Sequence, residues 1–378
     1  MDKAQFKTAL LSVVNRYLHG TPLVSCDDWQ AVYRLAKAHS LTGVFFYATQ
    51  NAEEISRELL GKVKEDFQVD AMQQIAQDYY ADVLFARFRK ENIPFMPMKG
   101  YLTKRLYPNP EARPSCDLDV FYADRDEKKI EKIFLAEGFS PVIENATHQS
   151  WEKGNVTVEM HYLLAGQVPL FDGYYRDVWS RLEQVDGSEY RFLQEDEYLY
   201  FLVHAAKHFA GGGFGVRTVL DAYLYNEKHG YDQAYLAGEL KKLHLEKFAE
   251  QLKGLAYIWF GGGQETEDSR LLGNFVLASG VYGSRKHLAA TGDEQSVRGR
   301  KAKHLLRTLF PPFRDMKSWY PAVKKFPPLL PFVWVYRWFE VLFTRRQSIA
   351  SVAEDLKSID EQSVKAMQRI KEMTDLPL

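Results

Sequence analysis

Met98-Lys99-Gly100-Tyr101 and, shortly after it, Arg113-Pro114-Ser115-Cys116-Asp117-Leu118-Asp119-Val120 decide the fold. In a β-strand successive side chains point to opposite faces, so Asp117 and Asp119 leave one side together while Leu118 and Val120 face a core. Two carboxylates aimed one way suit a hard divalent cation. Mg²⁺ usually takes one or two protein oxygens and completes its shell with water and substrate phosphates. An Asp-x-Asp by itself is often just a solvated loop pair, and here its surroundings tip the reading. Ile93 to Met98 is a short apolar run ending at Lys99-Gly100, and Tyr101 to Tyr107 reads as a helical turn closed by Pro108-Asn109-Pro110. Strand, glycine turn and helix start present free amides and a dipole's positive end to an anion. After the acids, Asp124 can cap a helix over Arg125 to Glu137, which Gly138 ends. Val156-Thr157-Val158-Glu159-Met160-His161-Tyr162 alternates again, with Thr157, Glu159 and His161 on one face. Two acids on one strand and a third on a neighbour permit a two-metal clamp.

At these residues the chain resembles the DNA polymerase β-like nucleotidyltransferase superfamily, and within it a largely uncharacterised bacterial family marked by Lys-Gly, then Arg-Pro-x-x-Asp-x-Asp, then Glu-x-His. The resemblance implies an α+β fold: a mixed nucleotidyltransferase sheet between an N-terminal helical region and a C-terminal helical domain. It implies Asp117, Asp119 and Glu159 as catalytic metal ligands for two Mg²⁺ ions, Gly100 as the phosphate-turn glycine, and NTP as substrate. Lys99, Arg113, Ser115 and Arg217 join Gly100 as nucleotide-binding candidates, and His161, His204 and His208 as cleft candidates. One departure stands out. The superfamily serine after the glycine is Tyr101 here, as in the family, and Lys99 is placed to substitute in part. The motifs cover roughly residues 93 to 162; a looser likeness runs through His204-Ala205-Ala206-Lys207-His208, Arg217 and Asp221 to Trp319-Tyr320-Pro321 and Leu329 to Trp334.

The 378 residues, 46% hydrophobic and 14% aromatic, suffice for two or three domains. We divide them as 1–92, an N-terminal helical region; 93–170, the catalytic core; 171–300, a helical domain; and 301–378, a basic aromatic helical segment. In the first region Ile55, Leu59, Val63 and Phe67, then Met72, Ile75, Tyr79 and Val83, recur at helical steps and predict one long amphipathic helix with its stripe on the core. Helices are expected again over Tyr174 to Leu182, Glu195 to Phe209 and Val216 to Lys228, with more to about 285. A net charge of −1 gives no overall attraction to nucleic acid. Two cysteines, a start without a signal-peptide pattern and no uncharged run near the ~20 residues of a membrane span predict a cytoplasmic protein.

His204 and His208, four apart on an expected helix, share a face, but Zn²⁺ wants three or four ligands and no cysteine joins them. Packing or lining the cleft are the other readings. Gly211-Gly212-Gly213-Phe214-Gly215 lacks the spacing of a P-loop and reads as a flexible interhelical loop that can deliver Arg217 to phosphate. Lys99 can be a solvated lysine or a substrate contact, Arg113 a loop brace or a cation against the triphosphate, and His161 a partner of Glu159, a base or a packed ring. Lys301 to Arg346 holds ten Lys/Arg against Asp315 and Glu340, a net +8, among many aromatics. It is read as a helix packed on the helical domain with its basic residues outside, or as a peripheral membrane contact. The expected reaction is Mg²⁺-dependent transfer of a nucleoside monophosphate from NTP to an unidentified small-molecule, peptide or protein acceptor. The alternative is a binding or scaffold protein of the same fold without turnover.

Overall fold

The computed structural model describes residues 3–123, 126–144, 147–165, 168–228, 230–280, 297–313, 316, 319–344 and 361–376. Four helices come first: α1 (Lys3–His19), α2 (Trp29–Ala38), α3 (Thr42–Thr49) and α4 (Arg57–Lys90). β1 (Phe95–Pro97), α5 (Gly100–Thr103), β2 (Asp117–Tyr122), α6 (Glu127–Ala136), β3 (Ser140–Glu144), β4 (His148–Lys153) and β5 (Val156–His161) follow. Next come α7 (Pro169–Tyr174), a hairpin of β6 (Leu182–Asp186) and β7 (Glu189–Phe192), and helices α8 (Gln194–Ala210), α9 (Val216–Lys228), α10 (Gln233–Leu243), α11 (Glu246–Phe260) and α12 (Glu267–Ser279). The seven strands form one mixed sheet in the order β3-β4-β5-β2-β1-β7-β6, the α+β architecture expected.

Alternation gives the sheet two different faces. Leu118, Val120 and Tyr122 of β2, with Val156, Val158 and Met160 of β5, join Leu84, Phe85 and Phe88 of α4 and Ile130 and Phe134 of α6 in one core. Each fully buried side chain of this size contributes ~1.5–3 kcal/mol of transfer free energy. The other face carries the acids, and on it Met96, Met98 and Phe121 enter a second core. That core runs from Leu10 of α1 and Phe45 of α3 through Leu202 of α8 and Leu252 of α11 to Met367 and Ile370 of a C-terminal helix, Glu361–Thr374. β2 and β5 are parallel neighbours, with Asp117 opposite Thr157 and Asp119 opposite Glu159.

Several expectations are corrected. The helix expected over Tyr174 to Leu182 is the end of α7, a 3-10 turn at Val178–Arg181 and the start of an unforeseen hairpin. Through that hairpin β7 pairs parallel to β1. In α4 the stripe holds for Leu59, Val63 and Phe67, but Met72, Ile75 and Tyr79 are exposed, while Gln74, Gln77 and Ala81 turn inward. The burial of Gln74 has a polar cause: its Nε2 donates to the Ser115 carbonyl at 2.9 Å. Residues 124 and 125, the expected cap and first residue of α6, lie outside the described residues.

In the C-terminal segment the helices Val297–Leu309 and Leu330–Thr344 pack on each other. Phe310 lies against Trp334 and Trp338, whose indole N–H groups donate to the Pro311 and Leu309 carbonyls. Rather than being covered, Trp319, Phe326, Phe332, Tyr336 and Phe339 are more than half exposed. No helix among the described residues is long and apolar enough to cross a membrane.

Candidate active site

At Lys99 the chain turns sharply. Its φ of 46° and ψ of −121° occupy a region that residues with a Cβ rarely adopt, and surrounding bonds must hold it there. The Lys99 carbonyl accepts from the Leu102 and Thr103 amides at 3.0 and 2.8 Å and from Thr103 Oγ1 at 2.9 Å. The expected helix start is a four-residue α5 running into a 3-10 turn at Lys104–Leu106, so one turn rather than a long dipole faces the acids. A Cβ at Gly100 would fall 2.3 Å from Ser115 Oγ, with Arg113 Nη1 at 3.3 Å; glycine alone fits. Tyr101 aims its ring the other way, edge-on to Phe85 at 5.6 Å with the Arg105 guanidinium 4.8 Å over it. The hydroxyl beside the turn is instead that of Ser115, which donates to the Asp117 carbonyl at 2.8 Å.

Asp117, Asp119 and Glu159 each offer an oxygen to one point, the three lying within 4.8 Å of one another. Asp119 is 3% exposed. Its Oδ1 accepts from Lys99 Nζ at 2.6 Å and His161 Nε2 at 2.7 Å. Burial alone would raise its titration, but the Lys99 ammonium and the His161 bond hold it well below the usual carboxylate range. Asp117, without such donors, is pushed up to about 7 by burial and by the neighbouring Asp119 charge. Burial pushes Glu159 up, but the His161 bond 3.2 Å away, together with the charges of His148 and His161, leaves the carboxyl below its ordinary value. For His161, burial and Lys99 press downward, yet its bonds to Asp119 and Glu159 keep it raised above the ordinary imidazole value.

His148, not singled out in the sequence, stands across from His161 in the register of β4 with β5. Its Nε2 lies 3.5 Å from Glu159 Oε1 and its Nδ1 3.0 Å from Thr147 Oγ1. Alternation in β4 was the available signal. His148, Glu159 and His161 form a second convergent donor group, again within 4.8 Å.

The remaining candidates line a cleft of about 200 Å³ facing the acids, among them Gly100, His204, His208 and Arg217. Arg113 Nε and Nη2 each donate to Asp221 of α9 at 2.8 Å, and the Tyr107 hydroxyl joins them at 2.7 Å. That buried fork ties the Arg-Pro turn to α9. Arg217 Nη1 donates to the Pro114 carbonyl at 3.0 Å. His204 and His208 meet Nε2 to Nε2 at 2.9 Å. Burial and the Lys99 charge hold both below the usual imidazole value, so one neutral ring donates to the other. Among the described residues neither belongs to a group of three metal-ligating side chains. The glycine loop before Arg217 is close-packed: a Cβ at Gly213 would sit 2.1 Å from Ser279 Oγ, one at Gly215 2.6 Å from His39 Nδ1.

A family model described as an uncharacterised nucleotidyltransferase matches residues 25–261. The chain belongs to this family. The family's span takes in α2 to α11 with every site residue above, and it ends before the likeness at Trp319 to Trp334. No curated protein and no solved structure matches the chain.

Proposed function

We propose that this protein moves a nucleoside monophosphate from an NTP to the hydroxyl of an acceptor, with divalent cations, Mg²⁺ foremost, at Asp117, Asp119 and Glu159. The observation that carries the reading is the convergence of three carboxylate oxygens within 4.8 Å beside a glycine turn. The donor set fits a hard cation, and Asp117, raised by burial and then by the Asp119 charge, is a carboxylate that a cation would relieve. When bound, such ions neutralise triphosphate charge and acidify the acceptor hydroxyl.

The chain supplies position and charge. Gly100 and Ser115 let the triphosphate approach the backbone, Lys99 and Arg217 provide cations, and the neutral His204–His208 pair lines the cleft. The acceptor oxygen bonds to the α-phosphorus as the bond to the bridging oxygen breaks. Pyrophosphate leaves with that electron pair, and the hydroxyl proton departs on the Glu159 side. With NTP as donor, the reaction belongs in the cytoplasm. We place a peripheral contact with anionic membrane at the basic aromatic segment 301–346.

The test is Asp119→Asn and Asp117→Asn, which remove charge and keep shape. Folding should persist by circular dichroism, while calorimetric affinity for ATP in Mg²⁺ should fall roughly 100-fold or more. Unchanged affinity would sink the metal assignment. ATP binding by the native chain without pyrophosphate release, across acceptors, would favour the non-catalytic reading that the loss of the superfamily serine suggests.

A further inference from the structure

A second cavity, of about 980 Å³, lies on the acid-bearing face farther along the strands. Phe121 forms part of its wall, two residues past Asp119 on the same face, so only about 6.6 Å of strand separates the wall from the carboxylate. Its walls are aromatic: the Phe121 ring lies 5.1 Å from Trp179, which meets Tyr190 edge-on at 5.4 Å. Tyr175 is 6% exposed and its buried hydroxyl finds no hydrogen-bond partner among the described residues. Buried phenols are normally bonded, and an unbonded one on a residue of the cavity wall points to a ligand. At the rim, Arg176 is exposed and makes no side-chain bond among the described residues. Tyr200 stands between the two cavities. It lines the nucleotide cleft, sets its ring edge-on to Tyr175 at 5.8 Å and donates to the Leu164 carbonyl on the second cavity's wall at 3.4 Å.

We propose that this cavity is the acceptor site, and that the acceptor is a small molecule combining a planar ring, a hydroxyl and an anionic group. The inference rests on the nucleotidyl-transfer reading for its role, not for its binding chemistry. The volume suits a drug-sized ligand, the aromatic walls stack a planar ring, Tyr175 supplies a buried hydrogen bond, and the Arg176 fork fits a carboxylate or phosphate. Tyr200 then bounds both substrates, holding the ring beside the nucleotide.

The probe is N-acetyltyrosine, which carries all three features, measured by calorimetry on the full chain. Wild type should bind it, and Tyr175→Phe and Trp179→Ala should weaken it at least tenfold with ATP affinity in Mg²⁺ unchanged. Arg176→Ala, a surface change with no folding risk, should weaken N-acetyltyrosine about tenfold but leave N-acetyltyrosine amide unaffected. Asp119→Asn should bind the probe normally, which separates failure here from failure of the metal assignment. No binding by wild type at millimolar concentration, or equal affinity of wild type and Arg176→Ala for the carboxylate form, would overturn the proposal.

Discussion

Lys99 is a cation already in place on the acid that a metal would share. Its ammonium lies on Asp119 Oδ1, in a pair shielded from solvent where Coulomb attraction is weakly screened. A bare Mg²⁺ ion must compete with it, whereas Mg²⁺ arriving with a triphosphate brings Lys99 a new anionic partner. Lys99→Met should therefore raise affinity for Mg²⁺ alone while lowering affinity for ATP in Mg²⁺ at least tenfold. Calorimetry with and without nucleotide reads the two signs; a fall in both would show Lys99 merely supports the site. His39 gives the pH prediction. It is fully buried, its Nδ1 accepts from the Val216 amide at 3.2 Å, and burial lowers its titration to about 4. The unfolded ring takes its proton near 6.5, so stability is complete above that pH and falls as pH drops toward 4, by about 3 kcal/mol at most. His39→Gln keeps an acceptor and removes the titration, and it should flatten the melting-temperature slope across that window. At this scale the acids were legible because strand alternation is rigid: Asp117, Asp119 and Glu159 follow from period two. Arg113 was not, because the partner that commits it, Asp221, lies 108 residues away.

Between elements the sequence is less explicit. The hairpin β6–β7 escaped notice because Leu182-Glu183-Gln184-Val185-Asp186 sits at a sheet edge where most side chains are exposed, so no apolar face announces a strand. In α4 the apolar residues Met72, Ile75 and Tyr79 continue a helical stripe, yet the face that packs passes through Gln74 and Gln77. Periodicity reports that a helix has an apolar side; which side is covered depends on what it meets. The loop into α9 shows the same limit. Its glycines suggested flexibility, but Gly213 adopts φ +108° with Ser279 pressed against it. Gly213→Ala should destabilise the fold by ~1–3 kcal/mol through overpacking, shifting the urea midpoint without changing its slope. Because Arg217 belongs to the helix this loop leads into, ATP affinity of the folded variant should fall as well. An unaltered midpoint would mean the loop yields.

At the scale of the molecule, charge and apolar exposure concentrate at one end of the chain. Of 22 exposed large apolar side chains among the described residues, 11 lie between Leu305 and Phe339, in a segment of net charge +8. Basic residues beside exposed aromatics suit the interface of an anionic bilayer. The full chain should float with phosphatidylserine vesicles at low salt, bind neutral vesicles less, and lose much of its binding with Phe332→Ala and Phe339→Ala together. Equal binding to neutral vesicles would remove charge from the explanation. The rest of the molecule is fastened differently, by a core that joins the first helix to much later ones. Asn15 Nδ2 donates to the Trp259 carbonyl 244 residues on, and at ~5–20 residues per second of synthesis that partner emerges roughly 12–50 s later. Until then α1 has its earlier neighbours, α2 and α3 among them, but not α11. The acid-bearing sheet is made midway through this wait, so the face with the acids is enclosed last, when the newest helices close over strands that have long been finished.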